Sequence, residues 1–412
     1  MTREMKSTIA AKPYLMHNTV QNYAWGTRGE TAFIPKLLEK KAEKGVPYAE
    51  LWMGAHPKAP SEIEIDGERC GLDKLAALHS EAILGKMGAE KCAVFPFLFK
   101  VLSAGEPLSI QAHPNKIQAE TLHARDARHY PDDNHKPEIA IAISPFTALA
   151  GFKSLTELSA TFATYPEIAE FLGEAVVHKI YANKDESQEK QKLALKAMYS
   201  RFLQRSETHK QELTNAIDAL VKRLQTKTGL SSADALFLEM RDQYSGADVG
   251  LFSIYLLNFM SLQPGEALFM QAGIPHAYIK GNIIECMANS DNVVRAGLTP
   301  KFQDKKTLMD ILTYESGKVE ILGDSNKEKK TIYKAPVEEF VLSRFHLETG
   351  DNAELKLGKP AIALLLNGTI KVNSTNGNEI FHRGQSIFFP ACLHEATLVA
   401  QEDSLVFVAT VP

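Results

Sequence analysis

The fold of this chain is decided by residues 265–276, GEALFMQAGIPH, which recur in a related form as GQSIFFPACLH at residues 384–394. Each copy begins with a glycine turn, continues with a five-residue apolar strand, and ends in a turn of small residues and a histidine. The histidine comes one position earlier in the second copy, and a shift of one residue turns a strand side chain to the opposite face. We therefore expect two related β domains that differ at this histidine.

Short strands and turns surround both copies of the repeat. The stretch from residue 336 to residue 412 is punctuated by glycines at regular spacing, namely Gly350, Gly358, Gly368, Gly377 and Gly384. Strands spaced in this way are typical of a sandwich or jelly roll. The repeat resembles the second sequence motif of the cupins, a family of small jelly-roll barrels, and this resemblance implies two cupin-like barrels.

A stretch of different character separates the two β regions. From residue 154 to about residue 244 the chain is rich in Ala, Leu, Glu, Lys and Gln, and apolar residues such as Leu213, Ile217 and Leu220 recur at helical spacing. The predicted fold class is therefore mainly β with an α-helical insertion. The expected domains are a discontinuous catalytic cupin-like β domain (1–153 and 246–317), a helical insertion (154–245), and a C-terminal cupin-like β domain without metal (318–412).

Composition excludes several classes of protein. The chain has 412 residues, 44% hydrophobic and 23% charged, with a formal net charge of −4, so neither nucleic acid nor an anionic membrane is expected as a partner. Four cysteines without a C-x-x-C pair argue against a disulfide framework and favour a reducing compartment. No apolar segment has the pattern of a signal peptide or the length of a membrane span, which predicts a cytoplasmic protein.

Four residues are candidate metal ligands. Gln111 and His113 lie two apart in the strand-like segment LSIQAHPN, and side chains at i and i+2 of a strand share a face. Glu138 begins the strand-like segment EIAIAI, and His276 ends the first copy of the repeat. Each has an ordinary alternative, such as a surface charge or a hydrogen-bonded core histidine. Together they suit a borderline divalent metal, zinc first, with manganese and iron(II) left open.

Basic residues flank these candidates. His135 and Lys136 immediately precede the strand of Glu138, although such a run is also typical of a solvated turn. Arg295 and Lys301 are the natural anion-binding cations of the mixed segment that follows Glu285. Lys100 interrupts an apolar strand, where it either extends to the sheet edge or lines a cavity for an anion.

Long segments of the chain resemble one enzyme family. These segments are IQAHPNK (110–116), YPDDNHKPEIAIAI (130–143) and GIPHAYIKGNIIECMANSDNVVRAGLTPKFQD (273–304), with QNYAWG (21–26) and ELWMGAHPKAPS (50–61) nearer the start. They are similar to the signature segments of the type I mannose-6-phosphate isomerases, and the resemblance extends over essentially the whole chain. Ala24 is a departure, because the family more often has an acidic residue there.

The resemblance implies a reversible interconversion of mannose 6-phosphate and fructose 6-phosphate through a cis-enediol, with a role in mannose metabolism and GDP-mannose biosynthesis. It implies one zinc ion per chain, held by Gln111, His113, Glu138 and His276, and an active-site arginine at Arg295. The substrate partner would be a small phosphorylated sugar, and the chain is expected to act as a monomer.

The residue chemistry leaves several roles open. The proton-transfer base could be Lys136, His135 or Glu285, with Lys136 or His135 narrowly favoured. Ser109, Lys100 and Lys301 are the candidates for the phosphate. Two other functions remain as alternatives: a metal-dependent cupin oxygenase, which would more often use two closely spaced histidines, and a cupin that binds sugar phosphates without turning them over.

Overall fold

The computed structural model describes residues 8–90, 94–244, 248–299, 301–323 and 328–412. Cys92 and the predicted boundary at residues 245 and 246 lie outside this part of the chain. The strands are, in chain order, β1 (Tyr14–His17), β2 (Thr19–Gln21), β3 (Thr27–Arg28), β4 (Pro47–Tyr48), β5 (Glu50–Gly54), β6 (Glu62–Ile65), β7 (Glu68–Gly71), β8 (Phe97–Ala104), β9 (Ile110–Ala112), β10 (Glu138–Ala142), β11 (Phe146–Phe152), β12 (Leu257–Leu262), β13 (Ala267–Met270), β14 (His276–Ala288), β15 (Val294–Gly297), β16 (Lys330–Tyr333), β17 (Val341–Leu347), β18 (Asn352–Lys356), β19 (Ala361–Asn367), β20 (Thr369–Ser374), β21 (Gly377–His382), β22 (Ser386–Phe389), β23 (Glu395–Ala400) and β24 (Ser404–Thr410).

The helices cluster between β11 and β12. In chain order they are α1 (Phe33–Leu37), α2 (Leu72–Leu78), α3 (Ser80–Glu90), α4 (Lys116–Arg125), α5 (Leu155–Thr164), α6 (Pro166–Leu172), α7 (Glu174–Asn183), α8 (Gln188–Thr208), α9 (Lys210–Gln225), α10 (Ser232–Gln243), α11 (Gly250–Leu256) and α12 (Lys305–Ile311). The prediction of a mainly β chain with a helical insertion is confirmed, since α5 to α11 form one uninterrupted block between two strands that pair with each other. None of the described helices has both the length and the apolar character needed to cross a membrane.

Two large sheets carry most of the strands. The order in one is β12-β11-β14-β8-β5-β2, with β10 and β9 also paired to β14, while β13 pairs with β10 and β15 with β9. The order in the other is β16-β17-β24-β19-β22-β1-β6-β7, and a four-stranded sheet, β18-β23-β20-β21, accompanies it. Among the described strands these paths remain open, so the sheets of this jelly-roll-like fold do not close into complete barrels.

Successive side chains of three neighbouring strands point alternately into two separate apolar cores. In β10, Ile139 and Ile141 join an apolar core shared with the C-terminal sheet, whereas Ala140 and Ala142 face a second core inside the first sheet. Because successive strand residues point to opposite faces, Glu138 lies on the same face as Ala140. Ala140 is directly opposite Glu285 of β14, and Glu285 is directly opposite Lys100 of β8. The polar residues of β8, β10 and β14 therefore meet on the inner face.

The N-terminal segment contributes to both large sheets. Strand β1 pairs with β22 on one side and with β6 on the other, so residues 14–17 and 62–71 extend the C-terminal sheet. The sequence-based division placed all of residues 1–153 in the catalytic domain, and this pairing crosses that division. The β domains are thus joined by backbone hydrogen bonds as well as by the shared core. The two copies of the repeat correspond to β13 and β22.

The described cysteines fit a reduced protein. Among the described residues, Cys70, Cys286 and Cys392 form no disulfide bonds, and Cys286 is buried. Burial, together with the charge of Glu285, raises the pKa of the Cys286 thiol well above its ordinary value, which disfavours the reactive thiolate. We therefore assign Cys286 a packing role.

Candidate metal centre and active site

Three buried side chains converge on one point. The metal-binding atoms of His113, Glu138 and His276 all lie within 4.8 Å of one another. The Nε2 atom of His113 is 3.4 Å from Glu138 Oε1, and the Nε2 atom of His276 is 3.4 Å from Glu138 Oε2. Each carboxylate oxygen therefore faces a different imidazole, and a small cation between them would be bound by two nitrogens and a carboxylate.

Both histidines are held in the tautomer that metal binding requires. His113 Nδ1 is 2.7 Å from the carbonyl oxygen of Asn292, and His276 Nδ1 is 2.9 Å from that of Ile274. A carbonyl accepts only, so each Nδ1 carries the proton and each Nε2 keeps its lone pair. Burial lowers the pKa of His113 to about 4, which keeps this imidazole neutral near pH 7.

The site has the unsatisfied atoms expected of a metal centre. Within the described residues, His113 Nε2 and Glu138 Oε2 are buried without a hydrogen-bond partner. A buried polar atom left in this way costs about 1–3 kcal/mol, so a bound cation would remove a penalty already present in the fold. The donor set of two imidazoles and a carboxylate fits zinc.

Gln111 and Arg295 extend this site along one row of the sheet. Gln111 of β9 is directly opposite His276 of β14 on one side and Arg295 of β15 on the other. Residues directly opposite each other in antiparallel strands share a face, so all three side chains border the same space. The amide nitrogen of Gln111 is 3.5 Å from His276 Nε2, and its oxygen accepts from Ser109 at 3.4 Å. Metal binding by Gln111 would require the amide to turn its oxygen toward His276.

Lys136 lies beside the three converging ligands. Its Nζ atom is 3.0 Å from Glu138 Oε1, and both side chains are buried. Burial alone would raise the pKa of Glu138, but the charge of Lys136 holds this pKa well below its ordinary value. The carboxylate is therefore ionised, as a metal ligand must be.

A buried ion cluster adjoins the metal site. Lys100 Nζ is 2.9 Å from Glu285 and 3.7 Å from Glu50, and it lies over the ring of Trp52 at 5.8 Å from the centroid. Burial would lower the pKa of Lys100, but Glu285 and Glu50 raise it above its ordinary value. Burial raises the pKa of Glu285, and Lys100 offsets this only in part. The structure thus pairs Lys100 with two carboxylates instead of leaving its ammonium free.

Arg295 and Lys301 form the basic part of the site. Burial lowers the pKa of Arg295, and no acidic group of the described chain counteracts this. Partial burial and the nearby charge of Arg295 lower the pKa of Lys301, whose Nζ lies 5.8 Å from the ring centroid of Tyr23. Two like charges close together, without enough carboxylates to neutralise them, are typical of an anion-binding site.

His135 points away from the converging ligands. Its Nε2 atom is 2.5 Å from Glu339 Oε1, in the segment between β16 and β17. The residue next to Lys136 is therefore tied to the C-terminal part of the chain.

The sequence patterns did not indicate two buried residues near the metal site, Glu50 and Tyr278. Glu50 is a buried carboxylate at the start of β5, and it accepts a 2.5 Å hydrogen bond from Trp52 Nε1. The sequence feature that could have indicated Glu50 is a charged residue at the start of the otherwise apolar segment ELWMG. Tyr278 also escaped notice, although it is buried near Glu285 and Glu138, and burial and both carboxylates raise its pKa.

One cleft of the described chain is a separate feature. It has a volume of about 1600 Å³ and lies between the two β domains, with His56, Lys58, Asp132, Lys359 and His394 among its lining residues. The converging ligands do not line it. It approaches the site through Asp132, Asn134 and residues 289–291.

The sequence matches two family models. Residues 14–155 match the model described as phosphomannose isomerase type I, catalytic domain, and residues 171–257 match phosphomannose isomerase type I, helical insertion domain. The chain is also 38% identical to mannose-6-phosphate isomerase 2 of Arabidopsis thaliana, over 90% of this chain and 87% of that protein. It is 38% identical to mannose-6-phosphate isomerase of Homo sapiens, over 88% of this chain and 89% of that protein.

Solved structures agree with these matches. A mutant of phosphomannose isomerase from Salmonella typhimurium superposes with a TM-score of 0.84 at 30% identity, covering 98% of this chain and all (100%) of that one. A zinc-bound mannose 6-phosphate isomerase gives a TM-score of 0.83 at 30% identity, with the same coverage of 98% and 100%. This chain belongs to the phosphomannose isomerase type I family of aldose–ketose isomerases.

Proposed function

We propose that this chain catalyses the reversible interconversion of mannose 6-phosphate and fructose 6-phosphate with one zinc ion per chain. The observation that carries this proposal is the convergence of His113, Glu138 and His276, with unsatisfied ligand atoms, beside the cross-strand row that joins His276 to Gln111 and Arg295. The names of the similar isomerases supply the substrate. We propose further that the chain acts as a monomer and that the domains predicted from its sequence are its functional units, although β1, β6 and β7 pair within the C-terminal sheet.

The zinc ion would be held by His113, Glu138 and His276, with Gln111 as the fourth ligand after rotation of its amide. Such an ion supplies Lewis acidity, which polarises the hydroxyl and carbonyl oxygens at C1 and C2 of a sugar. Family likeness and the donor set both favour zinc over manganese or iron(II).

Arg295 and Lys301 would bind the negative charges of the substrate. Aldose–ketose isomerisation moves a proton between C2 and C1 through a cis-enediol, so negative charge develops on an oxygen next to the metal site. Arg295, opposite Gln111, suits that oxygen. Lys301 with Ser109 suits the phosphate, which is remote from the reacting carbons. Lys100 fits this role less well, because the carboxylates of Glu50 and Glu285 lie beside it and would repel the phosphate dianion.

Lys136 is our choice for proton transfer between the two carbons. It is buried within 3.0 Å of a ligand carboxylate, so it borders the space where the sugar oxygens would lie. Glu285 is the second choice, because burial raises its pKa and so makes this carboxylate a stronger base. His135 is less suited, since Glu339 already accepts from its ring.

A coupled assay tests this function. Formation of fructose 6-phosphate from mannose 6-phosphate is followed with the untreated protein, the chelator-treated protein, and the treated protein resupplied with zinc. We expect activity to disappear on chelation and to return with zinc. Full activity in protein shown by elemental analysis to be metal-free would contradict the zinc proposal. Binding of mannose 6-phosphate without turnover at any metal content would instead support a non-enzymatic protein.

A further inference from the structure

We propose that Asp132 is a positioning residue for the metal ligand His113 and acts on it through Asn292. This inference rests on the metal site of the proposed function. It concerns two loops on the outer side of the site: residues 131–137, which lead into β10, and residues 289–293, which lie between β14 and β15.

The carboxylate of Asp132 joins the two loops. Its Oδ1 atom accepts hydrogen bonds from Ser290 Oγ at 2.7 Å and from Asn292 Nδ2 at 3.1 Å, and its Oδ2 atom accepts from the backbone N–H of Asp291 at 2.8 Å. Its backbone carbonyl accepts from Asn292 Nδ2 at 2.7 Å. One side chain thus contacts three consecutive residues of the opposite loop.

The loop ordered by Asp132 holds His113. Asn292 is fully buried (0% exposed), and its carbonyl oxygen is the acceptor 2.7 Å from His113 Nδ1. His113 and Asn292 are far apart in the chain, so the ring orientation depends on where the loop lies. His276 differs, since its acceptor is the carbonyl of Ile274, only two residues away on its own segment. His113 is therefore the ligand whose placement depends on a distant loop.

The same contacts reach the loop of Lys136. The carbonyl oxygen of Asn134 accepts from Asn292 Nδ2 at 2.9 Å and from Ser290 Oγ at 3.1 Å. Asn134 lies two residues before Lys136, on the segment that continues to Glu138. Loss of the Asp132 carboxylate would loosen the segment that carries one ligand and the loop that orients another. Metal affinity is accordingly the property most directly affected.

The test is the zinc affinity of the full-length metal-free protein, measured by competition with a chromophoric chelator and without substrate. Substitutions of groups that support a metal ligand commonly weaken binding about 10- to 100-fold, and we expect Asp132→Ala to fall in this range. Asp133→Ala is the matched control, because this adjacent carboxylate is exposed, and removal of a surface charge should change affinity by less than about threefold.

Two further variants test the inference in case Asp132→Ala does not fold. Asp132→Asn keeps one acceptor oxygen, and Ser290→Ala removes one neutral hydroxyl, which donates to Asp132 and accepts from the backbone N–H of Asn292, so both should weaken zinc binding less than Asp132→Ala does. Circular dichroism of the metal-free variants establishes which of them fold. The absorption spectrum of the Co²⁺-substituted protein should change in each affected variant, since a displaced imidazole alters the ligand field.

Unchanged zinc affinity in a folded Asp132→Ala would overturn the inference, as would an equal loss in Asp133→Ala. If Asp132→Ala does not fold, unchanged affinity in both Asp132→Asn and Ser290→Ala overturns it as well. The result is separable from the proposed function: a wild-type protein that binds zinc but forms no fructose 6-phosphate would contradict the function and leave this inference standing.

Discussion

Gln111 is the one neutral oxygen donor among the proposed zinc ligands, next to the Glu138 carboxylate and two imidazoles. A neutral amide withdraws less of the metal's positive charge than a second carboxylate would, so it leaves the ion a stronger Lewis acid. Gln111→Glu should therefore lower kcat even though a carboxylate binds zinc more tightly. Zinc affinity and kcat are measured together, with Gln118→Glu in the helix α4 as the control. An equal or higher kcat in Gln111→Glu would refute the idea.

Arg295 gives a second test at the residue scale. If its guanidinium stabilises charge that develops only in the transition state, Arg295→Ala should lower kcat far more than it raises KM, by about 100-fold or more. Arg295→Lys keeps the charge but loses the planar fork, so partial recovery is expected. Steady-state kinetics at saturating zinc separate the two parameters. A rise in KM at constant kcat would mean that Arg295 only binds the substrate.

Strand β14 shows how one element assembles the site. Its first residue is His276, and Glu285 follows nine positions later, each aligned with a different neighbouring strand. The change of partner centres on Gly281, which has φ of +116° and whose missing Cβ would lie 2.5 Å from the carbonyl oxygen of Pro145. Only glycine tolerates both conditions. The bend lets a single strand serve two parts of the active site.

Helix α10 carries a buried charge that should make the helical insertion sensitive to acid. Asp234 accepts hydrogen bonds from Tyr165 at 2.8 Å, Tyr255 at 3.1 Å and Lys227 at 2.8 Å. Burial would raise the pKa of Asp234, but the hydrogen bonds from Lys227, Tyr165 and Ser231 lower it to about 2. A lowered carboxyl pKa stabilises the fold above the unfolded value near 4, and this contribution, about 2 kcal/mol, is lost as the pH falls toward 2.

Asp234→Asn should accordingly unfold more easily than the wild type at pH 6, and the difference should shrink as the pH approaches 2. Urea unfolding followed by circular dichroism at several pH values measures this. Asp242→Asn, an exposed position of the same helix, is the control and should change little. A destabilisation that is the same at every pH would contradict the assignment.

At the scale of the whole molecule, the two β domains form one packed unit. They share an apolar core to which Ile139 and Cys286 contribute from the catalytic sheet and Leu342 and Phe388 from the C-terminal sheet. Strand β1 adds backbone pairing across the same junction. The C-terminal domain therefore supports the sheet that carries the candidate ligands, whether or not it binds a ligand itself.

The contact between His135 and Glu339 extends this support to the active-site loop. Glu339→Ala should free His135 and loosen the neighbouring Lys136, lowering kcat about tenfold, which corresponds to about 1.4 kcal/mol of transition-state stabilisation. Zinc affinity should fall less than in Asp132→Ala, because the loop that orients His113 keeps its contacts. The exposed Glu354 of β18 provides the control variant Glu354→Ala. Unchanged kcat in Glu339→Ala would show that the C-terminal domain has no part in placing this loop.

The residue types and their periodicity were enough to predict the β regions and the helical insertion. The repeat of residues 265–276 and 384–394 indicated two related β domains, and the helical spacing of Leu213, Ile217 and Leu220 indicated the insertion, since both patterns depend only on near neighbours. Spacing also placed Gln111 and His113 on one face. The long signature segments identified the family and, with it, the candidate ligands.

Only the tertiary structure decided which distant groups meet. Strand order and register decide these contacts, and no local sequence pattern contains them. They include the pairing of Lys100 with Glu285 and Glu50, of His135 with Glu339, and of β1 with the C-terminal sheet. The support of His113 by Asp132 through Asn292 belongs to the same class, because it joins three separate segments of the chain. The sequence determined which side chains could act, and the packing of strands decided which partners they have.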